Sequence, residues 1–252
     1  VSDSASSTSP PSGSAAPVDP PPVANDRRPA DAKPDRSAGA VLWYRVAQYT
    51  VSGLLRLTCG WRSTGTENMP KEGGVLLVCN HMSFLDVMMM AVPLRRPLNW
   101  MARSTLFKGI IGFCIRTLGG FPIQREGMGV SGLKETLKRL RNGGIVGLFP
   151  EGTRSPDGKL GEFKPGIAAI VQRAGVPVVP GGIAGTFQAW PRSRKYPRRH
   201  PLAIHYGRPI RPEEFRGLDT QATSDLIRAR LAEAIADAEV ELWRGRRRPA
   251  GS

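Results

Sequence analysis

The stretch "VCNHMSFLDV" places His81 beside Asn80 and five positions before Asp86, directly after an apolar run. On one continuous helix these two side chains would stand about 140° apart and could not touch. With His81 on a strand-to-helix turn and Asp86 in the first helical turn, the carboxylate can reach back to the imidazole. A carboxylate on one ring nitrogen selects the tautomer and leaves the other nitrogen free as a base. No G-x-S-x-G elbow is present, and Ser83 lies only two residues from His81, a poor position for a protein nucleophile. The spacing therefore predicts a base that acts on a hydroxyl brought by the substrate.

A second chemistry-bearing phrase is "FPEGTRS", where a rigid Pro150 precedes Glu151, a flexible Gly152, and the donors Thr153 and Arg154. The planar guanidinium gives two parallel charged hydrogen bonds and suits a phosphate. Arg125, after "GGFPIQ", and Arg103, after "LNWMA", are further candidates for the same anion. His200 in "RRHP" and His205 in "AIHYG" have no metal-ligand spacing.

These residues need a scaffold that brings them to one edge. From residue 73 short apolar runs alternate with helical patterns. "GGVLLVCN", "LNWMA", "GGFPIQ", "GIVGLF", "VPVVPGGIA" and "PLAIHYG" read as strands. Phe84–Ala91, "LFKGIIGFCIRTL", "VSGLKETLKRLRN", "GIAAIVQRA" and a last helix over Thr223–Trp243 read as helices. The alternation predicts one α/β domain with a mainly parallel sheet covered by helices on both faces. In such sheets ligands gather at the carboxyl ends of strands. The clusters after "VLLVC", "GGFPI" and "GIVGLFP" would then open onto one edge.

Residues 40–59, "AVLWYRVAQYTVSGLLRLTC", contain Arg45 and Arg56 and are too interrupted for a membrane span. Arg45, Gln48, Ser52 and Arg56 fall within a wedge of about 80° at 100° per residue, and Trp43, Val46, Val51, Leu54, Leu55 and Leu57 cover the rest. This is an amphipathic helix that either lies in the plane of a membrane surface or packs on the domain. Ahead of it, residues 1–38 are rich in Ser, Pro, Ala and Asp, with no cationic start and apolar core of a secretory signal. That composition predicts a disordered tail, with the folded body starting at residue 39. The tail holds four Lys/Arg and five Asp/Glu, so the remaining chain carries 32 against 16, a net of +16. A body so basic seeks polyanions: an anionic membrane surface, a phosphate-bearing substrate or a nucleic acid. Cys59, Cys79 and Cys114 have apolar neighbours and no metal spacing, which suggests buried free thiols in a reducing compartment.

Taken together, residues from about 40 to 210 resemble the glycerolipid acyltransferase family, whose familiar members are the lysophosphatidic acid acyltransferases. "NHMSFLD", "GGFPIQRE", "FPEGTRS" and "VPVVPGGI" match its four motifs in order. The resemblance implies His81 as general base and Asp86 as its orienting carboxylate. It implies that Arg125, Glu151, Gly152, Thr153 and Arg154 hold a glycerol phosphate, with Arg103 as a further member. It implies that Val176, Pro177, Val178, Val179 and Pro180 shape the acyl or thioester pocket. Where the family often has Lys then Glu, this chain has Arg103 and Thr105; Lys164 in "EFKPG" also matches and adds a charge. The implied reaction moves a fatty acyl group from a thioester to the free hydroxyl of lysophosphatidic acid, giving phosphatidic acid, with another lysolipid or glycerol 3-phosphate as the alternative acceptor. It needs no cofactor and no metal; the co-substrate is acyl-coenzyme A or an acyl-carrier-protein thioester. The implied location is the cytoplasmic face of the cell membrane, peripheral or monotopic.

Two other classes fit part of the pattern. "WPRSRKYPRRHP" and "WRGRRRP" interleave Arg and Lys with aromatics, as a nucleic-acid surface would, but no nucleic-acid module accompanies them and no such partner is expected. A lipid thioesterase or hydrolase could use the same histidine on water. It would need no acceptor.

Overall fold

The run Val75–Cys79 is apolar at every position, and a strand of that kind must be buried on both faces. In a computed structural model, which describes residues 36–123 and 129–244, this run is β2, near the middle of a seven-stranded sheet. In chain order the elements are α1 (Ala38–Thr58), β1 (Trp61–Thr64), β2 (Val75–Cys79), α2 (Asp86–Ala91), β3 (Leu98–Arg103) and α3 (Gly109–Thr117). Next come β4 (Gly120–Ile123), α4 (Gly129–Arg141), β5 (Ile145–Leu148) and α5 (Gly166–Ala174). The chain ends with β6 (Val178–Ala184), α6 (Thr186–Ala189), β7 (Leu202–Tyr206) and α7 (Thr220–Trp243). Strand order is β1-β7-β6-β2-β5-β3-β4. All neighbours pair in parallel except β6 with β7, so the expected mainly parallel, mixed sheet is the one observed.

Alternation along β2 divides the core. Val75, Leu77 and Cys79 pack with Met89, Met90, Leu98, Val179 and Tyr206 on the face that also receives Leu55 of α1. Leu76 and Val78 point the other way, toward Leu140, Val146, Ile170, Ile227 and Leu231 from α4, β5, α5 and α7. Helix α7 starts three residues earlier than its apolar stripe suggests, because Asp219 caps it by accepting from the Ala222 N–H at 2.7 Å. It lies so close to β6 that a Cβ at Gly182 would sit 2.0 Å from the Ala234 carbonyl oxygen, so any larger residue there would separate helix from sheet.

Strand β1 has no apolar run to announce it: "WRST" is only half-buried and pairs at the sheet's edge with β7. The folded body also begins earlier than residue 39. Arg36 donates to the Leu98 carbonyl at 2.8 Å, and Ser37 caps α1. Residues 1–35 of the expected tail lie outside the described residues. Cys79 is buried and Cys59 half-buried, but Cys114 is exposed on α3, against the expectation for all three; each is a free thiol.

Helix α1 docks through Tyr44, Gln48 and Leu55, with Arg45 beside them. The Gln48 amide is buried and donates to the carbonyls of Ala91, Val92 and Leu94 at 2.8–2.9 Å, while Arg45 donates to Gln48 at 2.8 Å and to Leu94 at 3.2 Å. These donors satisfy carbonyls at and beyond the C-terminus of α2, which that short helix cannot satisfy itself. The apolar side is left outside: Leu42, Trp43, Val46, Tyr49, Leu54 and Leu57 are 47–79% exposed. Trp43 donates to Thr117 at the end of α3, whose Ile110, Ile111 and Phe113 are also exposed, so the two helices share one apolar surface. No helix among the described residues is long and apolar enough to cross a membrane. Gln48→Leu, similar in volume, is expected to lower the unfolding free energy by about 1–3 kcal/mol, because it strands buried carbonyls. Urea denaturation measures this; an unchanged midpoint would show that the amide is dispensable.

Candidate active site

At the carboxyl end of β2 the ladder is prolonged by a side chain. Asn80 is buried; its amide donates to the Ile183 carbonyl at 2.9 Å and its Oδ1 accepts from the Ile183 N–H at 2.8 Å. The amide thus mimics a backbone unit and ties the end of β2 to β6. The next residue, His81, is released from the sheet onto the turn that leads into α2.

That turn is held by Asp86, which opens α2 and is fully buried. Its Oδ2 accepts from the Met82 and Ser83 backbone N–H groups, at 2.5 and 2.6 Å, and lies 2.9 Å from His81 Nδ1. Three contacts on one oxygen fix the position of the carboxylate and the rotation of the imidazole. With Nδ1 engaged, Nε2 is the nitrogen left to a substrate. The His81 ring also stacks on Phe149 with centroids 3.9 Å apart and planes 10° from parallel. An aromatic floor and an orienting carboxylate leave the imidazole little freedom except to exchange a proton.

Strand β5 neighbours β2, so its following loop, 149–154, lies beside His81. Glu151 is buried under this loop. Its Oε1 accepts from the His81 backbone N–H and its Oε2 from the Gly161 N–H, both at 2.9 Å. Burial raises its pKa, and those two N–H bonds partly offset the effect. The Ser155 N–H donates to the His81 carbonyl at 2.7 Å, a second tie between the same two loops. Both Glu151 oxygens are thus spent on backbone, and a carboxylate has no donor for a phosphate. Its geometry is that of a brace between the base and the loop after it, rather than the phosphate ligand that the motif suggests. Gly152 and Thr153 are exposed at the turn, Gly152 with a φ of +68° that favours glycine.

Arg154 is positioned by aromatics. Its guanidinium carbon lies 3.6 Å from the centroid of the Phe84 ring, and Phe84 in turn contacts the Trp190 ring at 5.2 Å. Its Nη1 is buried with no hydrogen-bond partner among the described residues. Burial, then repulsion from Arg192, lowers the Arg154 pKa, with Asp86 raising it and Arg103 lowering it again. Arg103 ends β3, the strand next to β5, and is exposed. The carboxyl ends of β2, β5 and β3 thus bring His81, Arg154 and Arg103 to one edge. Arg125 would follow β4 on that edge, but it lies outside the described residues.

The fourth motif, Val176–Pro180, lies mostly within the sheet. Val178 and Val179 are fully buried in β6 and pack into opposite faces of the core. Val176 and Pro177 precede β6, next to Leu76 at the amino end of β2, five residues before His81. At about 3.3 Å per residue that is roughly 16 Å from the base. Pro180 borders a cavity of about 410 Å³ together with Asn68, His205 and Asp237. Val178, Val179 and Pro180 thus belong to β6, which pairs with the central strand β2, and Val176 and Pro177 lead into it. Phe149, Phe84 and Asn80, whose roles were not read from the sequence, hold the site; the first two lie inside the motifs as aromatics where only polar residues draw the eye.

A carboxylate–imidazole pair with no protein nucleophile beside it among the described residues, next to arginines on one sheet edge, is the working set of an acyltransferase, and the acyltransferase family model matches residues 61–184 of the chain. Among its relatives is the 1-acyl-sn-glycerol-3-phosphate acyltransferase of Bacillus subtilis, 27% identical over 201 residues, covering 79% of this chain and 98% of that protein. A chloroplastic 1-acyl-sn-glycerol-3-phosphate acyltransferase of Brassica napus is 36% identical over 131 residues, which are 50% of this chain and 38% of that protein. The crystal structure of the 1-acyl-sn-glycerophosphate acyltransferase of Thermotoga maritima superposes with a TM-score of 0.70 at 25% identity, covering 85% of each chain.

Proposed function

We propose that this protein transfers a fatty acyl group from an acyl thioester to the free hydroxyl of lysophosphatidic acid, giving phosphatidic acid. The observation that carries this reading is the His81–Asp86 pair at 2.9 Å, with no serine or cysteine hydrogen-bonded to the imidazole among the described residues. Ser83 is fully buried and its hydroxyl donates to the Trp190 carbonyl at 2.7 Å, so it is not presented to a thioester. The names of the relatives support the acceptor.

His81 Nε2 accepts the proton of the acceptor hydroxyl as its oxygen attacks the thioester carbonyl. The C–S bond then breaks, the proton passes from His81 to the departing thiolate, and no acyl-enzyme forms. Asp86 stabilises the transient imidazolium. Arg154, with Arg103, Gly152 and Thr153, holds the phosphate; Arg125 belongs to the same set by its motif. No cofactor or metal takes part, and the thioester is that of coenzyme A or an acyl carrier protein. The exposed apolar surface of α1 and α3 lies in an anionic membrane, peripherally on the cytoplasmic face, so the lysolipid reaches the sheet edge without leaving the bilayer.

The test is thiol release from palmitoyl-coenzyme A with and without lysophosphatidate, and with a phosphate-free monoacylglycerol. Acceptor-dependent release favouring lysophosphatidate is expected. Arg154→Ala is expected to cut kcat/KM for lysophosphatidate by roughly 10- to 100-fold, about 1.5–3 kcal/mol for a charged hydrogen bond. Release independent of acceptor would instead make the protein a thioesterase. A variant equally impaired on both acceptors would remove Arg154 from the phosphate.

A further inference from the structure

The segment after β6 returns over the His81 turn. Helix α6 (Thr186–Ala189) leads to Trp190, whose carbonyl accepts the Ser83 hydroxyl at 2.7 Å and whose ring contacts Phe84 at 5.2 Å. Ser83 and Phe84 lie between His81 and Asp86, and Phe84 carries Arg154 on its ring. The loop that begins at Trp190 is therefore fastened to the motif that holds the base. Its position is fixed further by the Arg198 N–H donating to the Ala189 carbonyl at 2.8 Å and by the Trp190 Nε1–H donating to the Arg194 carbonyl at 3.1 Å.

Two residues beyond Trp190 stands Arg192, exposed and in no ion pair among the described residues. Apart from burial, it is the strongest influence lowering the Arg154 pKa, ahead of Arg103. Arg192 and Arg103 thus both repel Arg154, whose Nη1 is buried with no hydrogen-bond partner among the described residues. The carboxylate that attracts Arg154 is Asp86, whose Oδ2 is held by His81 and two backbone N–H groups. Such a cluster favours an anion that it does not itself contain, and a phosphomonoester, with close to two charges at neutral pH, is matched to it.

We propose that Arg192 is a third arginine on the acceptor phosphate, reaching it from the loop after Trp190 and selecting lysolipids with a phosphomonoester headgroup over uncharged ones. This rests on the reading of the acceptor given above. Arg192 is a specificity residue, not a member of the proton-transfer pair. It acts on binding, so KM should move and kcat should not.

The experiment compares wild type with Arg192→Ala, Arg192→Lys and Arg199→Ala. Transfer from palmitoyl-coenzyme A to lysophosphatidate and to monoacylglycerol is measured, together with binding of glycerol 3-phosphate by calorimetry. Arg192→Ala is expected to raise KM for lysophosphatidate roughly 10- to 100-fold and to lower the preference over monoacylglycerol by the same factor. Binding of glycerol 3-phosphate should weaken by a similar factor, Arg192→Lys should recover part of each loss, and Arg199→Ala, on the same loop, should keep the wild-type ratio. A rise in KM for palmitoyl-coenzyme A with an unmoved acceptor ratio would place Arg192 on the donor's phosphates and overturn the proposal. Loss of the ratio in Arg199→Ala as well would reduce it to general surface charge and also overturn it. Should wild type transfer to no lysolipid, the acceptor reading falls, while binding of glycerol 3-phosphate that depends on Arg192 would still uphold the anion site and its absence would refute it.

Discussion

His81→Ala is expected to lower kcat for acyl transfer to lysophosphatidate by about 10² to 10⁴, the usual worth of a positioned general base. The residue serves the substrate hydroxyl directly, since no protein nucleophile intervenes. The size of the effect follows from how fully the ring is oriented: Asp86 at 2.9 Å on Nδ1 and Phe149 stacked at 3.9 Å leave one nitrogen and one direction. The loss should fall on kcat, with KM for both substrates nearly unmoved, because the arginines that hold the phosphate are untouched. His81 N–H and carbonyl, not its ring, carry the bonds to Glu151 and Ser155, so the variant should stay folded. Near-normal turnover in the purified variant would end the assignment of the base. A loss confined to KM would move His81 from proton transfer to binding.

The parallel sheet and its edge were legible because their signals are local. Runs such as "VLLVC" and "IVGL" are apolar at each position and have one physical outcome, a strand buried on both faces. The distance between His81 and Asp86 in sequence allowed only a turn-to-helix geometry, and that is what forms. What stayed hidden depends on contacts between segments far apart. The brace role of Glu151 requires the N–H groups of His81 and Gly161, 70 and 10 residues away, and nothing in "FPEGTRS" announces them. Likewise the run Val176–Pro180 is apolar for the sake of the sheet, and an apolar run cannot declare whether it lines a pocket or fills a core. Helix α1 shows the same ambiguity. Its sequence left membrane surface and domain packing open; Gln48 and Arg45 turn inward because the end of α2 has carbonyls to satisfy, while Arg56 and most of the apolar side are left outside.

Asp86→Asn separates orientation from burial, and it is the second large effect. The native Oδ2 makes all three contacts while the buried Oδ1 has no partner among the described residues, so an asparagine either keeps its oxygen in the Oδ2 place without the charge or puts its NH2 there. If the oxygen stays with Met82 and Ser83, His81 loses the charge that stabilises its imidazolium. If the amide nitrogen turns toward Nδ1, that nitrogen becomes the acceptor, the proton moves to Nε2, and the wrong tautomer faces the substrate. Either arrangement is expected to cost about 10³ to 10⁴ in kcat, as in triads that lose their carboxylate. The fold should weaken less than with Asp86→Ala, which strands both buried N–H groups at about 1–3 kcal/mol each. The decisive comparison is the double variant His81→Ala, Asp86→Asn. If Asp86 acts through His81, adding the second substitution lowers kcat little further, because the carboxylate has no imidazole left to orient. Losses that multiply would instead give Asp86 a task of its own, and the pair would no longer account for the base.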